Sequence, residues 1–286
     1  MAVDTMETEF RKRYKMQHNS SNDGASLRHA LLQAARKPVK VLRGAIELQS
    51  ARNIGFRAFQ DFAAAVGMDD EKRLKSPDVA YSRRVGRQGA AYMPDRNLTL
   101  IPRDLLRSDE GRLAVKHESA HAWQRQFSRR ALFTGTDDFI HQVGLEGEAE
   151  YIAIYRHHLN RHKNKTAMLI YDLAYYWKGE GMAYEVARAI GKWQRNGSAE
   201  PLDRLIDNAA AEWRNGRNSE VYRVGTALFI VALAAGADPE ALYRAALSSK
   251  AGNILNSFVV DTRGLDYYDV AETIRRSVDS AIGHGR

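Results

Sequence analysis

The sequence predicts a mainly α, α+β protein: helices along most of its length, one small antiparallel sheet near residues 78–102, and a helical bundle in its C-terminal part. Three observations predict it. Apolar residues recur at helical spacing through long stretches of the chain. A turn-forming tetrad, Pro94-Asp95-Arg96-Asn97, is flanked by two short apolar runs, Ala90–Met93 and Leu98–Ile101, which reads as a β-hairpin. Beyond Lys165 the only periodicity is helical. With 286 residues, 44% of them hydrophobic and 27% charged, the chain can bury a core unaided. That composition excludes a wholly disordered chain, a collagen and a membrane bundle.

Each element follows from local chemistry. Residues 1–25 are polar and read as a flexible tail. From about Leu27 to Gly67 the pattern is helical, with Pro38 expected to interrupt its first part. A basic, irregular stretch, Lys72–Gln88, precedes the hairpin. Ser108 can cap a helix starting at Asp109, and the acids Asp109 and Glu110 suit its first turn. That helix should reach about Phe127, and a polar loop with Gly135-Thr136-Asp137-Asp138 should follow. Another helix is expected over about Leu145–Asn160. Asn196-Gly197 and Asn215-Gly216 read as helix ends. Gly236 can end a further helix, Asp238 can cap the next, and Pro239 suits its first turn. The expected organisation is a tail (1–25), N-terminal helices plus a catalytic core (26–165) and a helical subdomain (166–286).

Composition narrows the chemistry. The chain has no cysteine, which excludes disulfides, thiolate metal sites and a cysteine nucleophile. A metal would have to be held by His, Asp or Glu. The net charge of +8 arises from 43 Lys and Arg against 35 Asp and Glu. It reads as a solvated basic surface, because Arg11–Lys15 and Arg156–Lys165 are too short for a nucleic-acid tract, so no nucleic-acid partner is expected. The most apolar run, Gly225–Ala237, falls short of the roughly 20 residues a membrane span needs and reads as a buried helix. The charged N-terminal segment lacks a signal-like apolar stretch, so a cytoplasmic location is expected.

The chemistry concentrates in His117-Glu118-Ser119-Ala120-His121, an HExxH motif. Histidines four apart share one helix face, so both imidazoles can address one ion. Glu118 can serve as general base for a water on Zn²⁺, whose pKa the metal lowers toward 7. A chance HExxH arises in roughly 2 of 100 chains of this composition, so context must carry the rest. The flanks Ala114, Val115, Ala122 and Trp123 are uncharged, as a helix with a buried back face requires.

A third ligand is needed. Downstream stands Glu146-Gly147-Glu148-Ala149-Glu150-Tyr151. Here the chain resembles the gluzincin metallopeptidases, in which HExxH is followed by a glutamate on a second helix, often in an E-G-x-A string. The resemblance covers about residues 90–160. It implies a zincin-like core, Glu146 as third Zn²⁺ ligand, and Glu150 behind a ligating histidine where the family usually has Asp. It further implies an edge strand before the motif that pairs with extended substrate, for which Leu98–Ile101 is in the right place. Spacing alone leaves Glu148 and Glu150 open as third ligand.

Gluzincins often add a Tyr or His that stabilises the oxyanion; Tyr151 and His141 are the candidates, with Tyr155, His157 and later tyrosines behind them. His157, His158 and His162 read as a solvated helix end, and Tyr171, Tyr175, Tyr176 and Trp177 as helix packing. The expected function is a zinc metallopeptidase acting on a protein or peptide substrate; Mn²⁺ or Co²⁺ would also suit a His₂Glu set. Two rivals stand beside it. One is a bacterial effector or toxin, secreted without a cleavable signal, that uses the same site on a host protein. The other is a non-enzymatic helical interaction module with a vestigial metal site.

Overall fold

A computed structural model describes residues 24–65, 75–82, 89–127, 139–159, 165–177, 180–197, 200–217, 219–248 and 266–283. The tail up to residue 23, the loop at Gly135–Asp138, and His162 lie outside the described residues. The chain divides into two compact units, Met1–Glu47 and Leu48–Arg286. Helix α1 spans Gly24–Ala65. It runs through Pro38 without the expected break. In the first unit Arg43 Nε pairs with Glu47 at 3.2 Å, one turn apart. All further elements belong to the second unit.

Three strands follow: β1 (Asp78–Tyr81), β2 (Ala91–Met93) and β3 (Leu98–Ile101). The expected hairpin is present, with Ala91 opposite Leu100 and Met93 opposite Leu98 in antiparallel register. A 3₁₀ turn, Pro94–Arg96, links the two strands. Asn97 closes it at φ 46°, a left-handed conformation that asparagine tolerates better than most residues. Its side chain secures the turn on two sides. Nδ2 donates to the Lys75 and Ser76 carbonyls, both at 3.1 Å, and Oδ1 accepts from the Tyr92 hydroxyl at 2.9 Å.

The sheet departs from the sequence reading in two ways. It is mixed rather than antiparallel, because β1 pairs parallel to β3, Asp78 opposite Leu98 and Tyr81 opposite Ile101. Residues 78–81 lie within the bounds of the expected sheet but in the stretch read as irregular; four residues, only one of them fully buried, give too short an alternation to mark a strand of their own. The strand order is β1-β3-β2, so Leu98–Ile101 is the central strand and its ladder groups are taken on both sides. It is not a substrate-pairing edge. The outer strands are β1 and β2.

Helix α2 (Asp109–Phe127) starts where Ser108 caps it, Oγ accepting the Gly111 N–H at 3.1 Å. It packs on β2, β3 and helix α3 (Phe139–Leu159). A small core joins Ala51, Val79, Ile101, Leu106 and Val115 beneath the sheet. The C-terminal helices are α4 (Lys165–Trp177), α5 (Glu180–Asn196), α6 (Glu200–Arg214), α7 (Ser219–Ala234), α8 (Pro239–Ser248) and α9 (Tyr267–Gly283). Helix α7 is buried continuously from Val224 to Leu233 and packs against α3, α4, α5, α6 and α9. Its end is as expected: Gly236 takes φ 89°, the Ala237 N–H reaches the Ala232 carbonyl at 3.0 Å, and Asp238 caps α8 through the Ala241 N–H at 2.7 Å. One continuous core runs from Ala58 on α1 through α2 and α3 to Val278 on α9. No described helix is long and apolar enough to cross a membrane.

Candidate metal centre

Helices α2 and α3 meet with their polar faces inward. His117 and His121 lie one turn apart on α2, and their rings meet edge to face with centroids 4.6 Å apart. Their Nε2 atoms approach to 2.9 Å. Glu146, on α3, brings Oε2 within 3.2 Å of both. The three side chains offer one ligand atom each, all within 4.8 Å of one another. The structure thus brings together the two motif histidines and the glutamate that the resemblance implied, and it turns Glu148 and Glu150 to other partners.

Hydrogen-bond bookkeeping shows what this cluster lacks. Behind His117, Nδ1 stands 2.8 Å from Glu150 Oε1. Behind His121, Nδ1 stands 2.8 Å from Gln124 Oε1. Each outer partner is an acceptor, so whenever either ring is neutral its hydrogen belongs on Nδ1 and its Nε2 lone pair faces inward. With both rings neutral, two lone pairs and a carboxylate oxygen converge on one point with no donor among them. Either protons or a cation must fill that point. Ligand atoms about 2.0–2.1 Å from one tetrahedral ion stand roughly 3.3 Å apart, close to the spacing found.

The electrostatics agree. Burial works against charge on His117, yet Glu150, Glu146 and Glu118 outweigh it and hold the imidazole well above its ordinary range. Burial likewise opposes charge on His121, and the Glu146 carboxylate overcomes it and raises that ring too. Burial alone would raise Glu146, but His121 and His117 hold it far below the carboxylate range. Glu118 is raised, chiefly by burial; the two imidazoles and a hydrogen bond from the Tyr92 N–H offset this in part. Tyr92 lies on β2, so that strand faces the glutamate of the motif.

Two residues that the sequence did not single out complete the surroundings. Tyr222 on α7 hydrogen-bonds Glu146, and its hydroxyl is raised far above its usual value by burial and then by Glu146, Glu118 and Glu150. Its ring lies 5.8 Å from His117 and stacks on Trp177, centroids 4.7 Å apart and planes at 10°. Glycine places it there. A Cβ on Gly147 would fall 2.7 Å from the Gly225 backbone, and one on Gly225 would fall 2.5 Å from the Val143 carbonyl oxygen. Helices α3 and α7 therefore cross in backbone contact, with Glu146 beside one glycine and Tyr222 one turn before the other. The second missed residue, Gln124, follows His121 by three positions, a helical neighbour spacing that was readable.

The candidates for an oxyanion group fare differently. Tyr151 is buried, stacked on Phe229 at 5.0 Å, and donates its hydroxyl to the Pro239 carbonyl at 2.6 Å. Tyr155 donates to Glu240 at 2.6 Å. The side chains of His141, His157 and His158 lie outside the described residues. Of the aromatic string on α4, Tyr175 is exposed, and Trp177 reaches Tyr222. Compared with family models, with curated proteins and with solved structures, the chain matches none.

Proposed function

We propose that this chain is a zinc-dependent hydrolase of peptide bonds. The observation that carries the reading is the convergence of His117 Nε2, His121 Nε2 and Glu146 Oε2 beside the buried Glu118. His117, His121 and Glu146 would hold the ion. When bound, Zn²⁺ supplies Lewis-acid polarisation of a carbonyl and a water acidic enough to lose its proton near neutral pH.

The chain's own residues supply the rest. Glu118 is raised by burial toward the range where a carboxylate can both take and return a proton. The Tyr92 N–H orients that carboxylate, and the outer edge of β2 lies beside it for an extended peptide. Tyr222 stays protonated because burial and three carboxylates hold its pKa up, so its hydroxyl is a donor for charge developing on a carbonyl oxygen. It takes the role first sought at Tyr151 and His141.

Glu118→Gln tests the reading. The substitution leaves His117, His121 and Glu146 untouched, so zinc content and thermal midpoint should equal wild type. Hydrolysis of a mixed peptide library should fall by roughly 10²–10⁴. Equal turnover in the variant and the wild type would overturn the mechanism.

A further inference from the structure

The buried pair Gln124 and Glu148 has no part in the mechanism above. Their residues are 4% and 3% exposed. An amide and a carboxyl group buried this deeply are costly unless hydrogen-bonded, and an apolar pair would fill the space more cheaply. Their contacts form a line that ends on His121. Gln124 Oε1 meets His121 Nδ1 at 2.8 Å, while Nε2 donates to Glu148 Oε2 at 2.9 Å and to the Leu145 carbonyl at 3.1 Å.

Amide oxygen and nitrogen are distinguished only by their partners, and here the partners decide. A backbone carbonyl accepts and never donates. The NH₂ group must face it, so the amide oxygen must face the imidazole. The amide cannot rotate without breaking both anchoring bonds. Nδ1 of His121 therefore keeps the hydrogen, and in the neutral ring Nε2 presents its lone pair toward His117 and Glu146.

We propose that Gln124 and Glu148 are positioning residues that lock the tautomer of His121 for metal binding. All three acids of Glu146-Gly147-Glu148-Ala149-Glu150 then serve one centre. Glu146 is a ligand, Glu150 backs His117 directly, and Glu148 backs His121 through an amide. The two histidines are held unequally: one leans on a carboxylate, the other on a neutral group that a carboxylate aligns. This inference rests on the metal-centre reading for its affinity consequences but not for its tautomer.

The test uses full-length protein and two readouts. Long-range ¹H–¹⁵N spectra of the metal-free chain, at a pH alkaline enough to neutralise the imidazoles, report which His121 nitrogen carries hydrogen. Competition with a chromophoric chelator reports zinc affinity. Wild type should show Nδ1–H at His121. Gln124→Leu should move the hydrogen toward Nε2 and weaken zinc by roughly 10–100-fold. Gln124→Glu sets two carboxylates face to face and should weaken zinc comparably. The double variant Gln124→Glu/Glu148→Gln restores an acceptor toward His121 and a donor toward residue 124, though not the bond to the Leu145 carbonyl, and should recover part of the affinity lost in Gln124→Glu. An Nδ1–H tautomer retained in Gln124→Leu would overturn the lock, as would a double variant no better than Gln124→Glu. If Gln124→Leu does not fold, the single and double glutamate variants still decide. Failure of wild type to bind zinc would instead refute the metal centre, while the tautomer would still judge the lock.

Discussion

Helix α3 borders two buried neighbourhoods that treat polar atoms in opposite ways. Toward α7 and α8 lies an aromatic one: Tyr151 stacks on Phe229, Tyr155 stacks on Tyr243, and the three tyrosine hydroxyls donate to the Pro239 carbonyl, Glu240 and the Asp61 carbonyl. Each of these three tyrosine hydroxyls has an acceptor within the chain. Toward α2 lies the acidic one, where His117, His121 and Glu146 turn three acceptor atoms on each other. The difference teaches that burial alone does not mark a site. Stacked, satisfied tyrosines are a finished core, whereas a surplus of acceptors is a request for a cation.

The largest expected effect separates the two neighbourhoods outright. Glu146→Ala should lose its zinc on dialysis against a weak chelator, while the thermal midpoint of the metal-free chain moves far less. Stoichiometric zinc retained in that variant would mean the acidic neighbourhood has no need of this ligand. Next comes Glu150→Ala. Removing the acceptor behind His117 should cost roughly 10–100-fold in zinc affinity without abolishing binding, as read by chelator competition.

The pH dependence sharpens the contrast further. His117 and His121 are raised, so in the metal-free chain their charged forms stabilise fully below about pH 6.5, and that contribution fades as pH rises through the raised values. Glu146 is depressed, so its contribution is present above its unfolded value of about 4.3 and is lost as pH falls toward the lowered one. Zinc competes with the imidazole protons. The rise in thermal midpoint on adding zinc should therefore be greater at about pH 8 than at about pH 6. A larger rise at the lower pH would show that the ligand nitrogens are not the groups losing protons. The smallest effect belongs to the aromatic side. Tyr151→Phe removes one hydrogen bond worth about 1 kcal/mol, lowering the midpoint by roughly 2–4 °C with zinc affinity unchanged.

The helix that carries His117 and His121 was legible because two signals coincide on it. Ser108 and the acids after it mark the start, and HExxH marks the chemistry. The hairpin was legible from Pro94–Asn97. What lay beyond reading depends on distant partners. Tyr222 is one of 13 tyrosines and stands 76 positions from Glu146; only the crossing of α3 and α7 makes it special. Gln124 carries a local spacing signal, but nothing in the sequence says that Leu145 and Glu148 will hold its amide in one orientation. β1 escaped because its pairing partner is twenty residues away, and that pairing is what moved β3 to the middle of the sheet.

The meeting of Gly147 and Gly225 has a consequence for anyone reshaping this protein. Main chain rests on main chain there, so the backbone spacing between Glu146 and Tyr222 is a fixed datum from which their side chains reach. Libraries that randomise either glycine should return misfolded clones rather than altered selectivity, because even alanine collides with backbone. Diversity is better placed at Tyr92, Tyr176 and Trp177, whose half-buried rings can be resized one at a time. The crossing is the jig, and the rings are the parts that can be exchanged.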